Sequence, residues 1–329
     1  MRLVADGLDF PEGPLILPNG DLLVCEMRAG RLTRITTAGR ETIATLGGGA
    51  NGAALGPDGA IYVCNNGGSR FVGEKQPDGT TRYRTLTPGE SMACIPGQIQ
   101  RVAQDGTVTT LYTACGDIAL MKPNDLVFDR AGNFYFTDSG DYEGPTHDTG
   151  MVAEGMDFTV LHMLATVTHR RGGSVFYASP DGSMIREVAH PFASANGVGL
   201  SPDETILYVS ETTTGRLWAF DLTAPGKVGG RRCLGVVPGR MPLNLGMCDS
   251  LTVDSAGNIL VGTLGNGGIT IFSPDGTTIR HVATGDDCTT NCCFGGPDRR
   301  TLYVTCALTG RLIAFDDWPT AGLRLNFAP

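Results

Sequence analysis

The chain has 329 residues, and Gly (47) and Pro (19) together make up about one residue in five. A hydrophobic share of 41% is enough for a large buried core, which excludes a wholly disordered chain. The formal net charge of −9 argues against nucleic-acid binding and against anionic membrane surfaces, because both favour a basic protein. Only 18% of the residues are charged, a share that favours a β-rich protein over a helical bundle.

The first residues, MRLVADGLDFPEGP, lack the long apolar stretch of a signal peptide, and no part of the sequence is apolar over the length of a membrane-spanning helix. The ten cysteines form no C-x-x-C pair, and several lie in apolar runs such as LLVCE and IYVCN. Buried free thiols are typical of a reducing compartment. We therefore expect a cytoplasmic protein without a disulfide framework.

Six repeats share one pattern, which is an oxygen-bearing residue, a short apolar stretch, a turn and a run of β-forming residues. The first residues of the six copies, called anchors below, are Glu12, Asn51, Asn124, Asn196, Asp249 and Asn291. In every copy the turn position follows the anchor by eight residues. Sequences such as PNG and PDG supply turn chemistry, and most copies end in a second hairpin. Four strands per copy predict an all-β, six-bladed β-propeller in which residues 1–329 form a single domain.

The spacing of the repeats predicts how the ring closes and where it is interrupted. The sixth copy is short, whereas the segment MRLVADG precedes the first anchor, so we expect the two ends to pair in one blade and remove an exposed edge. Residues 66–98 and 139–173 are predicted insertions between strands of blades 2 and 3. The apolar residues of the second insertion suggest local cover, a lid over the channel mouth or a subunit contact.

Equivalent positions in the blades of a propeller surround its central channel, so the six anchors are predicted to form one ring. A buried ring of carboxylates and amides is costly unless a partner satisfies it. Their oxygens suit a hard cation such as Ca²⁺, Mg²⁺ or Mn²⁺. Asn and Asp can instead cap turns at blade edges. For Asn51 and Asn291 the two interpretations are balanced, and for the other four anchors ligation is favoured.

Several segments resemble the senescence marker protein/gluconolactonase (regucalcin-like) family over essentially the whole chain. They are FPEGP, PNDLVFD, ANGVGLSPD, CDSLTVDSAGN and TNCCFGGPD followed by LYVT. The resemblance implies a six-bladed propeller with one divalent cation in its channel. Calcium is the first expectation, and Mg, Mn, Zn and Fe are alternatives. It also implies a small-molecule lactone as substrate, while related propellers hydrolyse organophosphates.

The resemblance also implies roles for individual positions. Glu12, Asn196 and Asp249 match the metal ligands of the family, and Asn124 matches an Asn that contacts metal or substrate.

Two further positions depart from the sugar lactonases of that family. Lys122, expected to help bind substrate, stands where those enzymes often have Arg, and Ser250, included in the metal set, replaces their usual Gly. The Asp249–Ser250 pair and Asp138 in YFTDSG are similar to the drug-responsive lactonase branch. These departures point away from an aldonolactone substrate.

The expected reaction is opening of a cyclic ester, in which the cation binds the lactone carbonyl oxygen, stabilises the oxyanion and lets water attack. Asp138 is the first candidate for the base that activates the water, and Asp249 is the second. Asp138 ends its strand, as do Glu26, Asn65 and Glu211 in other blades, so a structural role is an alternative. Two other functions stay open: phosphotriester hydrolysis at the same site, and a non-catalytic cation-binding scaffold.

Overall fold

The computed structural model describes residues 1–68, 71–77, 81–85, 94–140, 172–240 and 246–329. Within these ranges the regular structure is β-strand, and six four-stranded antiparallel sheets form the blades of a propeller. Turns with Gly at positive φ, such as Gly20 and Gly59, join the two inner strands of a blade. The prediction of an all-β, six-bladed propeller is confirmed, and the single domain over 1–329 stays a prediction.

The first three blades follow one another along the chain, each from its innermost to its outermost strand. Blade 1 contains β2 (Pro11–Ile16), β3 (Leu22–Glu26), β4 (Arg31–Thr36) and β5 (Gly39–Thr45). Blade 2 contains β6 (Ala50–Leu55), β7 (Ile61–Asn65), β10 (Gln98–Val102) and β11 (Val108–Tyr112). Blade 3 contains β14 (Pro123–Phe128), β15 (Phe134–Asp138), β16 (Gly173–Ala178) and β17 (Ile185–Phe192).

The other three blades repeat the same order, except that the last one borrows its outer strand from the start of the chain. Blade 4 contains β18 (Ala195–Leu200), β19 (Ile206–Glu211), β20 (Arg216–Ala224) and β21 (Lys227–Val236). Blade 5 contains β23 (Met247–Val253), β24 (Ile259–Leu264), β25 (Gly268–Phe272) and β26 (Ile279–Ala283). Blade 6 contains β27 (Thr289–Gly295), β28 (Thr301–Cys306), β29 (Arg311–Phe315) and β1 (Arg2–Ala5).

The ring is closed by the two ends of the sequence, as predicted. Strand β1 pairs antiparallel with β29, with Arg2 opposite Ala314. The Arg2 guanidinium also donates to both carboxylate oxygens of Asp316, at 2.9 and 3.0 Å. Every blade therefore has four strands.

Both predicted insertions lie between the second and third strands of their blades. The first contains a hairpin of β8 (Phe71–Lys75) and β9 (Thr81–Thr85). Residues 141–171, most of the second insertion, lie outside the described residues, so its predicted role as cover, lid or subunit contact stays a prediction. The remaining short strands are β12 (Ala114–Cys115), β13 (Ile118–Ala119) and β22 (Pro238–Arg240).

The hydrophobic core lies between neighbouring blades, because side chains alternate between the two faces of each sheet. Between blades 2 and 3 the Tyr62 and Phe128 rings make an edge contact at 5.1 Å, and Phe134 packs 5.2 Å from Phe128. Burial of one such side chain stabilises the fold by roughly 1.5–3 kcal/mol. This packing holds the innermost strands around the channel.

All ten cysteines lie in the described residues and all are free thiols, six of them buried. The expectation of free cysteines is therefore confirmed. Among the described residues, no helix has the length and apolar character needed to cross a membrane.

Candidate active site

The structure brings the six anchors to equivalent places at one end of the central channel. Each is the second or third residue of the innermost strand of its blade. Each innermost strand packs against the innermost strands of both neighbouring blades, so these strands surround the axis. All six side chains are buried, and none is more than 9% exposed. We call this arrangement the anchor ring.

A β-bulge interrupts the ladder between the first and second strands of every blade, and it always includes or directly follows the anchor. In blade 1 the register shifts between Glu12 and Leu15, and in blade 4 between Ala195 and Val198. The other four blades show the same shift. A bulge leaves a residue unpaired and turns its side chain away from the regular pleat. In blades 2 to 6 the bulge leaves the anchor outside the ladder, whereas Glu12 in blade 1 still pairs with Cys25 and its bulge begins directly after it.

Contacts between blades 4 and 5 connect three residues of the predicted metal set. The Ser250 hydroxyl donates to Asn196 Oδ1 at 3.4 Å, and Asn196 Nδ2 donates to Thr212 Oγ1 at 3.0 Å. Asn196 is also close enough to the Asp249 carboxylate to lower its pKa. Asn196, Asp249 and Ser250 therefore lie together, and their role as metal ligands stays a prediction.

Among the residues that the structure describes, two amide oxygens of the anchor ring have no hydrogen-bond partner. They are Asn51 Oδ1 and Asn124 Oδ1, and both are buried. Buried polar atoms in native proteins are nearly always bonded to protein, to water or to an ion. Two such oxygens at the same level of one channel therefore fit a bound cation or ordered water, and they keep Asn51 among the candidate ligands.

The carboxylates of the site repel one another and are buried away from water. Burial raises the pKa of Glu12 well above its usual value, and the nearby Asp249 and Asp125 raise it further. Burial likewise raises the pKa of Asp249, with a further contribution from Asp125. Among the described residues, no Lys or Arg contributes to either shift. A positive charge between these groups would relieve both penalties.

Asp125 is a third channel carboxylate that the sequence interpretation missed. It directly follows Asn124, is 7% exposed, and burial raises its pKa to about 7. Its Oδ1 accepts the Leu126 N–H at 2.9 Å, and Ser250 across the channel lowers its pKa. A signal was present in the sequence, because blades 1, 2 and 4 have Gly at the position after the anchor.

Asp138 lies beside the anchor ring with both oxygens engaged by backbone groups. Its Oδ2 accepts the Met121 N–H at 2.7 Å, and its Oδ1 accepts those of Lys122 at 2.9 Å and Gly140 at 2.8 Å. The predicted substrate residue Lys122 is half-buried, and its carbonyl accepts the Ser139 N–H at 2.9 Å. Asp138 thus holds the segment that leads to Asn124.

The anchor ring offers both carboxylate and amide oxygens as possible metal ligands. Within the described ranges, no three or more His, Cys, Asp or Glu side chains are grouped so that they could hold a metal ion. A cation here would have to combine the carboxylates of Glu12 and Asp249 with amide oxygens. A site made only of oxygen atoms suits Ca²⁺ better than it suits Zn²⁺, which prefers nitrogen and sulfur.

Over most of its length the chain is similar to one protein family and to individual lactonases. The SMP-30/Gluconolactonase/LRE-like region matches residues 10–308. A gluconolactonase from Zymomonas mobilis is 26% identical, with 93% of this chain and 78% of the relative aligned. Lactonase drp35 from Staphylococcus saprophyticus is 28% identical over 86% of this chain and 72% of its own length.

Among solved structures, a gluconolactonase from Xanthomonas campestris superposes with a TM-score of 0.68 at 22% identity. The alignment covers 95% of this chain and 88% of that structure. At this identity the likeness concerns the fold, and it agrees with the six blades described above. Because the family match spans most of the sequence, the chain belongs to the SMP-30/gluconolactonase/LRE-like family.

Proposed function

We propose that the protein is a hydrolase that opens small-molecule lactones at the anchor ring with the help of one divalent cation. The observation that carries the proposal is the buried ring of mutually repelling carboxylates and unpartnered amide oxygens. Membership of the family, and the similarity to a gluconolactonase and to lactonase drp35, support a lactone as the substrate.

The residues that would hold the cation are Glu12, Asn124, Asn196 and Asp249, with Ser250 orienting Asn196 through its hydroxyl. Calcium fits this oxygen set best, and Mg, Mn, Zn and Fe are the alternatives to be tested. When bound, the cation supplies positive charge that polarises the lactone carbonyl and stabilises developing negative charge.

We propose Asp249 as the group that takes the proton from the attacking water. It lies in the anchor ring, whereas the oxygens of Asp138 accept three backbone N–H groups. Those bonds stabilise the ionised carboxylate and fix its orientation, so Asp138 is less suited to accept a proton. Lys122 and Asn124 are proposed to orient the substrate at the same end of the channel.

The free cysteines support a cytoplasmic enzyme. The net charge of −9 supports an enzyme without nucleic-acid partners.

The test is an activity panel on protein purified without chelators. We expect hydrolysis of γ- or δ-lactones, loss of activity with EDTA and recovery with added Ca²⁺. A simple phosphotriester and a linear ester serve as comparison substrates. Preference for the phosphotriester would replace the lactonase proposal, and cation binding without any turnover would indicate a scaffold.

Glu12→Gln provides the matching variant, because it keeps the shape of the side chain and removes one negative charge. Metal content and lactone hydrolysis should fall together. Full activity with retained metal would remove Glu12 from the ligand set.

A further inference from the structure

Two residues just before the anchor ring adopt a backbone conformation that is unusual for their type. Phe10 has φ of 57° and Ser194 has φ of 67°. Each lies two residues before an anchor, Glu12 in blade 1 and Asn196 in blade 4. We call residues 9–11 and 193–195 the lead-in turns. Left-handed backbone is unfavourable at residues other than Gly and persists only where the surroundings enforce it.

A glutamate at the end of the second strand binds each lead-in turn. The Asp9 N–H donates to Glu26 Oε2 at 2.8 Å in blade 1. In blade 4 the Ala193 N–H donates to Glu211 Oε2 at 2.9 Å. Both donors immediately precede the left-handed residue, so the two blades use the same contact.

Main-chain bonds hold the other side of each left-handed residue. The Met27 N–H donates to the Phe10 carbonyl at 3.0 Å, and the Thr212 N–H donates to the Ser194 carbonyl at 2.9 Å. Met27 and Thr212 directly follow the two glutamates. Each lead-in turn is therefore fixed on both sides by the end of the neighbouring strand.

Basic side chains in turn fix the two glutamates. Arg31 Nε lies 2.8 Å from Glu26 Oε1, and Thr33 also donates to that oxygen. Glu211 lies 3.6 Å from Arg231 and 4.0 Å from Arg216. Glu26 and Glu211 are 1% and 3% exposed, so both are buried acceptors held in one orientation. Hydrogen bonds to an ionised acceptor are about twice as strong as neutral ones.

We propose that Glu26 and Glu211 are positioning residues that hold the lead-in turns in their left-handed conformation and thereby set Glu12 and Asn196 in the anchor ring. The inference rests on the proposed function, because the anchor ring is taken as the cation site. Blades 1 and 4 are opposite each other in a ring of six, so the two glutamates fix two opposite sides of the site. Asn65 Oδ1 accepts the Gly49 N–H at 2.9 Å, a variant of the same contact in blade 2.

The experiment compares Glu211→Ala with the double variant Glu211→Ala/Ser194→Gly. Glycine adopts positive φ without penalty, so the double variant needs no glutamate to keep the turn. Removing groups that orient metal ligands typically costs 10- to 100-fold in affinity. We expect the Ca²⁺ dissociation constant from calorimetry to rise by about that factor in Glu211→Ala and to return most of the way in the double variant. Ser194→Gly alone is the reference for the double variant.

Two further variants keep the test decisive. Glu211→Gln retains one acceptor oxygen and should show an intermediate loss even if Glu211→Ala is poorly folded. Glu204→Gln removes a glutamate that pairs with Arg130 at the other end of blade 4, and it should leave Ca²⁺ affinity unchanged. Parent-like affinity in Glu211→Ala, or a folded double variant without recovery, would overturn the proposal.

Amide hydrogen exchange separates this inference from the proposed function. Exchange at Ala193 and Thr212 should accelerate in Glu211→Ala whether or not the protein binds Ca²⁺. If the parent protein binds no Ca²⁺ and exchange still accelerates, the proposed cation site fails while the contact to the lead-in turn stands. Unchanged exchange at both amides would show that Glu211 does not hold the turn.

Discussion

The two ends of the central channel are built from the same six strands, yet they differ in chemistry. At the anchor ring the ladders are interrupted by bulges, and carboxylates and amides are buried there. Beyond the ring a cavity of about 570 Å³ follows the strands to their far ends, lined by residues such as Leu55, Phe128, Val253 and Phe294. The buried carboxylates and amides of the anchors therefore lie at the level of the bulges.

The far end is also covered by a segment of the same chain, residues 323–329. The Leu323 N–H donates to the Val253 carbonyl at 3.1 Å. Asn326 Nδ2 donates to the Phe128 carbonyl at 3.1 Å and to Glu204 Oε1 at 2.7 Å. These contacts reach blades 3, 4 and 5, so the segment lies over the far end of the cavity that it helps to line. We expect substitutions at the ring to change chemistry, and substitutions at the far end to change stability.

Asp249→Asn at the ring should have the largest effect. Loss of a positioned proton acceptor typically lowers turnover by ~10²- to 10⁴-fold. We expect lactone turnover to fall by that factor and Ca²⁺ binding to weaken as well. Asp254→Asn, just beyond the far end of the same strand, is the control and should keep parent-like turnover. Similar losses in both variants would erase the distinction between the two ends.

Asn326→Ala at the far end should lower stability and spare chemistry. It removes two hydrogen bonds, one of them to a carboxylate, and such bonds contribute roughly 1–3 kcal/mol together. Urea denaturation should show a loss of that size in unfolding free energy, while lactone turnover stays within about twofold of the parent. A large drop in turnover at unchanged stability would mean that the far end takes part in the reaction.

At the anchor-ring end of the channel, Asp138→Asn distinguishes a structural role of Asp138 from a role as general base. If Asp138 only holds the segment before Asn124, turnover should fall by less than about tenfold. Loss of a general base would instead fall in the ~10²- to 10⁴-fold range with cation affinity unchanged. Steady-state kinetics together with calorimetry distinguishes the two roles.

The smallest expected effect concerns the pH dependence of stability at Glu26. Burial raises the pKa of this carboxyl, but bonds from Arg31, Thr33 and the Asp9 N–H outweigh burial and lower it overall. A carboxyl with a lowered folded-state pKa stabilises the fold above its unfolded pKa, and that contribution is lost as the pH falls through the folded value. Glu26→Gln cannot lose this contribution, so its free energy of unfolding should fall less than that of the parent between pH 6 and about pH 3. If the melting temperatures of the parent and the variant fall equally with pH across this range, the lowered pKa of Glu26 would be contradicted.

The blades and the ring closure could be predicted because their signals repeat. Six equal spacings from anchor to turn identified the inner hairpins, and an unpaired first strand beside a short sixth repeat indicated the closure. The sequence also located both insertions, since they break the spacing between strands that are otherwise regular.

The finer parts of the site are harder to predict, because few of their features recur from blade to blade. Asp125 follows an anchor that already explains the polar character of the segment, and only comparison with the Gly of blades 1, 2 and 4 distinguishes it. The residue types at Phe10 and Ser194 do not indicate left-handed backbone, because neither Phe nor Ser favours it. The sequence places Asp138 at a strand end, but the backbone groups that it binds depend on how the neighbouring loops pack.

The pairing of β1 with β29 has a consequence for how the molecule folds. Arg2 and Asp316 are 314 residues apart in sequence, yet their side chains are in direct contact. Most other ladders join neighbouring hairpin strands and can form locally, whereas this one has a very high contact order. Its loop-closure entropy is offset only after the other five blades have brought the two ends together. The seam in blade 6 should therefore form last during refolding.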